Sequence, residues 1–132
     1  MIPINTPYPL KRSRRLRQSK WIRDLVSENF LKTSDLIWPI FICEGSNKKE
    51  PITSLPGVFR YSVDLMPSVA TQAITLGIRC LALFPNTPEK LKTLECDEAW
   101  NPENLVNKAT RIIKNEVPEI GILLDVALDP YN

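Results

Sequence analysis

Ile120-Gly121-Ile122-Leu123-Leu124-Asp125-Val126-Ala127-Leu128-Asp129-Pro130-Tyr131-Asn132 is the stretch that decides the fold. It opens as a short apolar run and leaves that run through two acids four positions apart. Such a run reads as a buried strand, and acids at a strand's carboxyl end mark the working surface of an α/β protein. Working backwards, Leu105, Ala109 and Ile112 share a helical face that runs to about Glu116, and Pro118 closes the segment. Asn101-Pro102 reads as its cap and first-turn proline. Ile78 to Phe84 is a second apolar strand. Before it, Val69, Ala73 and Leu76 share a face, with Pro67 in a first turn and Gly77 at C′. Asp35 to Cys43 is a third strand-like segment, in which Pro39 demands an edge, a bulge or a strand start.

Strand, helix, strand, helix, strand, with strands apolar throughout, predicts a parallel sheet with helical crossovers. On this reading the first and third strands carry open edges. Glu44 to Tyr61 and Pro85 to Trp100 read as loops, with Gly45-Ser46-Asn47 and Pro56-Gly57 as turn signals. Gln18 to Leu31 has helical spacing through Trp21, Leu25, Val26 and Phe30. Ahead of it, Pro3, Pro7 and Pro9 followed by basic residues indicate an extended arm. Three strands make a poor stopping place, and a (β/α)8 barrel needs about 250 residues. The fold expected is α/β: the N-terminal part of a TIM barrel with an extended N-terminal arm. Residues 1–31 form the arm and its helix. Residues 32–132 supply the first three strands and two crossover helices.

Composition narrows the chemistry. The chain has 132 residues and no histidine, which excludes Ser-His and Cys-His nucleophilic pairs and imidazole metal ligands within it. Cys43, Cys80 and Cys96 have no metal-binding spacing and read as buried, reduced thiols of a reducing compartment. No run approaches the roughly twenty apolar residues of a membrane helix, and no secretory signal opens the chain. The net charge of +2 hides an asymmetry. Lys11, Arg12, Arg14, Arg15, Arg17, Lys20 and Arg23 crowd together, leaving the rest acidic. That run reads either as an anion-binding patch or as a solvated arm pairing with acids on another subunit. Sparse aromatic interleaving disfavours nucleic acid.

Asp125 and Asp129 are the candidate site residues. Two carboxylates at a strand's carboxyl end suit a hard cation such as Mg²⁺ or a polar substrate, and oxygen donors without thiol or imidazole argue against zinc. The plainer alternative is a strand-end cap at Asp125 and a turn at Asp129-Pro130. Glu98, ahead of a helix start, reads as a capping acid. Lys32, Lys48, Lys49, Lys90, Lys92, Lys108 and Lys114 all fall in polar loops or on helices. A Schiff-base lysine needs desolvation or a cationic neighbour to lower its pKa, so none is a candidate. A partial barrel is also expected to be only marginally stable alone.

Several blocks in order carry a resemblance. They are Arg14-Arg15-Leu16-Arg17, Arg23-Asp24-Leu25-Val26-Ser27-Glu28, Asp35-Leu36-Ile37-Trp38-Pro39-Ile40-Phe41-Ile42-Cys43-Glu44-Gly45 and Pro51-Ile52-Thr53-Ser54-Leu55-Pro56-Gly57-Val58. Leu76-Gly77-Ile78, Leu83-Phe84-Pro85, Glu98-Ala99-Trp100-Asn101-Pro102 and Asp125-Val126-Ala127-Leu128-Asp129-Pro130-Tyr131 follow. The chain closely resembles the N-terminal part of the porphobilinogen synthase (5-aminolevulinate dehydratase) family. The resemblance implies a (β/α)8 barrel whose arm wraps a neighbouring subunit, usually in an octamer. It implies a cytoplasmic tetrapyrrole (heme) biosynthesis enzyme that condenses two 5-aminolevulinate molecules into porphobilinogen, and it implies neither a nucleic-acid nor a membrane partner.

Zinc-dependent members carry cysteines at the positions of Ala127 and Asp129. This chain therefore resembles the zinc-independent branch, which often uses Mg²⁺, with Asp125 and Asp129 lining the site and Asp129 nearest the metal. Cys96 stands where the family usually has glycine, so a positive φ there would be strained. The family's Schiff-base lysines lie on strands beyond Tyr131. The chain by itself is thus expected to be inactive. The alternative is a non-catalytic half-barrel that binds full-length subunits or a complementing chain.

Overall fold

The computed structural model describes residues 7–10 and 14–132; Pro3, Lys11 and Arg12 of the arm lie outside them. The chain divides into two compact units, Met1–Leu31 and Lys32–Asn132.

In the first unit the helix is shorter than its spacing suggests. Only Lys20–Leu25 (α1) is helical, preceded by a 3-10 turn at Arg15–Arg17. Six residues sit well below the length at which a helix holds itself together in water. Trp21, Leu25 and Phe30 stay exposed rather than buried along a face. The Lys20 ammonium donates to the Asp24 carboxylate one turn on, and the Arg23 guanidinium donates to the Arg17 carbonyl. The described part of the arm is thus a series of turns rather than a fully extended strand.

The second unit is an α/β sheet built on three apolar strands: Ile37–Cys43 (β1), Cys80–Pro85 (β4) and Gly121–Leu124 (β5). They run parallel, with β4 between β1 and β5. Two short strands arise where a loop is expected: Lys49–Pro51 (β2) and Phe59–Ser62 (β3). β3 joins β1 in parallel and β2 joins β3 antiparallel, so the order is β2-β3-β1-β4-β5. The first strand is therefore central, not an edge. Polar residues and prolines mask the short pair: only three residues pair in each of their ladders, with Lys49 lying over the Phe59 ring 4.4 Å from its centroid. The Pro56-Gly57 turn joins them, Gly57 taking φ +83.

Pro39 is accommodated because β3 reaches only Phe41–Cys43. The N-terminal half of β1 has β4 alone beside it. An open flank is where a residue without an N–H costs no ladder bond.

Two helices cover one face, Met66–Thr75 (α2) and Leu105–Glu116 (α4). Ile40 and Ile42 of β1 and Leu81 and Leu83 of β4 pack with Met66, Val69, Ala70 and Ala73 of α2 and with Val106, Ala109 and Ile113 of α4. On α4 the buried stripe is displaced by one residue from the spacing drawn on Leu105 and Ile112, which are half-buried. On α2, Leu76 is exposed because it is already the C-cap. Gly77 follows in the left-handed region at φ +82. Its N–H bonds the Ile74 carbonyl and that of Ile78 bonds Ala73, the Schellman arrangement that ends a helix on glycine.

β5 pairs only as far as Leu83↔Leu124. It is an edge strand rather than one buried on both faces, with Leu123 44% exposed. A short helix, Asp97–Trp100 (α3), interrupts the loop after β4.

Candidate functional site at the carboxyl ends of the parallel strands

The parallel strands β1, β3, β4 and β5 deliver their carboxyl ends to one rim. Three loops meet there. After β1, Gly45 and Asn47 take positive φ, and the Asn47 N–H and Ser46 hydroxyl donate to the Asp64 carboxylate. The Ser62 hydroxyl and these two groups hold Asp64 below the usual carboxylate range. A carboxyl depressed on folding stabilises the fold above its unfolded pKa, and that contribution is lost as pH falls through the lower folded value. Asp64→Asn is therefore expected to flatten the acid side of a stability–pH curve, below about pH 4 where the free carboxyl titrates. Urea midpoints measured from neutral pH downwards check this: an unchanged acid slope would mean Asp64 is solvated like a free carboxylate.

After β4, the Asn86 N–H donates to the Ile42 carbonyl, and Lys90 pairs with Glu44 of the first loop at 3.5 Å. Cys96 then adopts φ 56 and is buried, as the departure from glycine anticipates. A left-handed non-glycine residue costs on the order of 1–2 kcal/mol, so this turn is held by its surroundings. The Cys96 N–H donates to Thr93 O, and the Asp97 N–H donates to the Thr93 hydroxyl. Glu98 does not cap α4. It lies inside α3 and accepts from the Asn101 amide. The N-cap of α4 is Asn104, whose side chain accepts from the Asn107 N–H while its own amide donates to Glu98 O. Asn104 is almost fully buried, and the Asn101-Pro102 signal lies three residues too early because Asn101 is the C-cap of α3.

After β5, Asp125 and Asp129 are both exposed. Asp125 lines a shallow cavity of about 180 Å³, with Trp100, Asn104, Asn107, Leu128 and Tyr131 on its walls. Asp129 does not line that cavity. It opens a 3-10 turn, Asp129–Tyr131, closed by the Tyr131 N–H on Leu128 O at 2.9 Å. The turn reading of Asp129-Pro130 thus describes the local geometry. Tyr131, which the sequence reading left without a role, is the buried member of this segment. Burial pushes its phenol up, and the Glu98 charge adds to the effect. A tyrosine in an acid-rich, apparently surface run offers no sequence signal for that burial.

Two carboxylates supply oxygen donors of the kind a hard cation takes, without thiol or imidazole. Among the described residues no three such side chains gather into a metal set, so the fit is in kind and not in number. Cys43, Cys80 and Cys96 are free thiols. Burial first, then the Glu50 charge, keeps the Cys43 thiol protonated against the opposing pull of Lys48 and Arg60.

Several lysines are engaged elsewhere. Lys48 pairs with Glu50 and Lys92 with Glu89, and the Lys114 ammonium bonds the Pro118 and Ile120 carbonyls. The Glu50 hydrogen bond holds the Lys48 ammonium above its ordinary pKa, the reverse of what an imine-forming amine requires.

A sequence model of the family described as delta-aminolevulinic acid dehydratase matches residues 10–132. The delta-aminolevulinic acid dehydratase of Bradyrhizobium diazoefficiens is 54% identical over 91% of this chain and 34% of its own length. That of Rhodobacter capsulatus is 40% identical over 100% of this chain and 40% of its own. The crystal structure of delta-aminolevulinic acid dehydratase (porphobilinogen synthase) from Toxoplasma gondii ME49, in complex with the reaction product porphobilinogen, aligns with a TM-score of 0.82 and 36% identity. That alignment covers 100% of this chain and 36% of the Toxoplasma chain. The chain spans about a third of the length of such relatives, and its sheet matches part of their barrel. It belongs to the delta-aminolevulinic acid dehydratase family.

Proposed function

We propose that this chain contributes the first strands of a cytoplasmic porphobilinogen synthase, and that the complete enzyme condenses two 5-aminolevulinate molecules into porphobilinogen with loss of two waters. The observation that carries the reading is the placement of the Asp125–Tyr131 block at the carboxyl end of β5, on the rim where parallel barrels hold their sites. Asp125 borders a cavity there, and Asp129 stands in the adjoining turn. Their role would be to orient a polar substrate and to offer oxygen donors to Mg²⁺. A bound cation would neutralise carboxylate charge and fix a substrate oxygen; zinc finds no thiol at Ala127 or Asp129.

Imine formation needs an unprotonated, desolvated amine to attack the substrate ketone and expel water. The described lysines of this chain are paired or solvent-exposed, so the amine would come from other strands, and the chain alone would be inactive. The basic arm would serve association with a second subunit.

The test mixes this chain with a polypeptide carrying the remaining strands of a relative and follows porphobilinogen. Product formed only by the mixture supports the reading. A soluble complex without product would overturn it and favour a non-catalytic half-barrel that binds full-length subunits or a complementing chain. That second reading draws on the open flank of β1, beside an apolar groove of about 270 Å³ lined by Trp38, Phe41, Leu55, Phe59 and Tyr61.

A further inference from the structure

The segment that bears the two aspartates has little of its own to hold it. Val126 is 98% exposed, and Leu128, Asp125 and Asp129 are exposed as well. The pairing with β4 has ended at Leu124. Ala127 and Pro130 are half-buried, and Tyr131 alone is buried, at 6% exposed. It lines the Asp125 cavity together with Ala99 and Trp100 of α3. Its carbonyl accepts the Thr93 N–H at 3.1 Å, and its own N–H closes the turn on Leu128 O.

Thr93 is in turn the hub of the loop after β4. Its carbonyl accepts from Cys96 N–H, and its hydroxyl contacts the Asp97 N–H and carboxylate. The left-handed Cys96 sits between the two. Glu98, one residue further, is held by Asn101, and its charge adds to the burial that raises the Tyr131 phenol.

We infer that Tyr131 is a positioning residue: its buried ring and its bond from Thr93 clamp the Asp125–Asp129 segment to the loop after β4, and that loop sets where the two carboxylates stand. The inference rests on the proposed function only for its catalytic consequence; the clamp itself is a property of this chain. An exposed tether whose two ends are fixed, one by the β4–β5 ladder and one by Tyr131, presents its carboxylates in a narrow range of positions. Released at Tyr131, it moves like any exposed segment held at one end.

Amide hydrogen exchange on the 132-residue chain tests the clamp. In Tyr131→Ala the amides at positions 93 and 131 are expected to exchange at least about tenfold faster, while those of Leu81 and Leu83 keep their protection. Tyr131→Phe, which keeps the ring, is expected to restore slow exchange at both. If Tyr131→Ala also loses protection at Leu81 and Leu83, Thr93→Pro, which removes the N–H donor to Tyr131 together with the hydroxyl bonded to Asp97, is read at position 131 against Thr93→Val, which loses the hydroxyl alone; faster exchange in Thr93→Pro only is expected, and equal exchange in the two would overturn the inference. Unchanged exchange at 93 and 131 in a folded variant would overturn the inference.

In the complemented enzyme, Tyr131→Ala is expected to lower kcat about tenfold or more, with rescue by Tyr131→Phe. Full kcat in Tyr131→Ala would also overturn it. If the unsubstituted mixture makes no porphobilinogen, the proposed activity fails while the exchange result still decides the clamp.

Discussion

Leu81→Ala is expected to cost about 3 kcal/mol of unfolding free energy, within the roughly 2–5 kcal/mol range for deleting a fully buried leucine. Leu81 is the second residue of β4, between β1 and β5, and is fully buried with Ile40, Ile42, Val69, Ala73 and Ile113 in the cluster under α2 and α4. Side chains alternate along a strand, so Leu81 and Leu83 turn to the helices while Cys80, Ala82 and Phe84 turn to the opposite face. Leu123 pairs with Ala82 and shares that opposite face, at the edge of the sheet. Its replacement by alanine is expected to cost under about 1 kcal/mol, since a side chain that is 44% exposed gives up little transfer energy. Urea midpoints of the two variants check the pair. Equal losses would mean that the opposite face is as well packed as the one under the helices, and the assignment of faces would be wrong.

That difference also explains what the sequence could and could not announce. Ile37–Cys43, Cys80–Pro85 and Gly121–Leu124 are all apolar, and an apolar run alone says that a strand has two greasy faces, not that both are covered. The parallel order and the crossover helices were legible because Pro67, Gly77 and Pro118 punctuate the chain where backbone geometry demands it. β2 and β3 were not, because Lys49–Pro51 and Phe59–Ser62 are too short and too polar to show a period. Their pairing, β3 to β1 and β2 to β3, is tertiary, and the second is reinforced by the Lys48 N–H on the Ser62 hydroxyl and by the lysine-over-aromatic contact. The arm helix failed for the opposite reason. Trp21, Leu25 and Phe30 have the spacing of an amphipathic helix, but spacing stabilises a helix only when something covers the apolar side.

The site was legible in part. Acids at the end of an apolar run put Asp125 at a strand's carboxyl end, and β5 does end at Leu124, because the carboxyl end of a strand is fixed by the strand itself. Asp129 is set by a 3-10 turn whose closure depends on Tyr131, and a turn's direction is not written in four residues. Cys96 shows the reverse case, a residue whose conformation follows from the position it occupies. Glycine fits φ 56 without strain, and it was the family resemblance, which implies a glycine at this position, that pointed to the conformation and to its cost for cysteine.

Gly77→Ala is the second large effect, expected to cost about 2 kcal/mol. The backbone there has φ +82, and a left-handed conformation costs an alanine on the order of 1–2 kcal/mol. Alanine recovers up to about 1 kcal/mol of this by restricting the unfolded chain. What remains is steric: a Cβ at Gly77 would stand 2.5 Å from the Thr33 hydroxyl oxygen and 3.3 Å from its Cβ. The Thr33 side chain must therefore move, and it sits in the 3-10 turn that leads into β1. Gly57→Ala isolates the backbone part, since Gly57 has nearly the same φ, +83, with nothing within 4 Å of the added carbon. It is expected to cost about 1 kcal/mol or less. The two differ by the contact with Thr33, so Thr33→Ala should recover most of that difference in Gly77→Ala and little in Gly57→Ala, an interaction free energy of about 1 kcal/mol in a double-mutant cycle. If Gly77→Ala and Gly57→Ala lower the urea midpoint equally, the glycine serves the helix end alone, and the packing of the Thr33 turn against it contributes nothing to the fold.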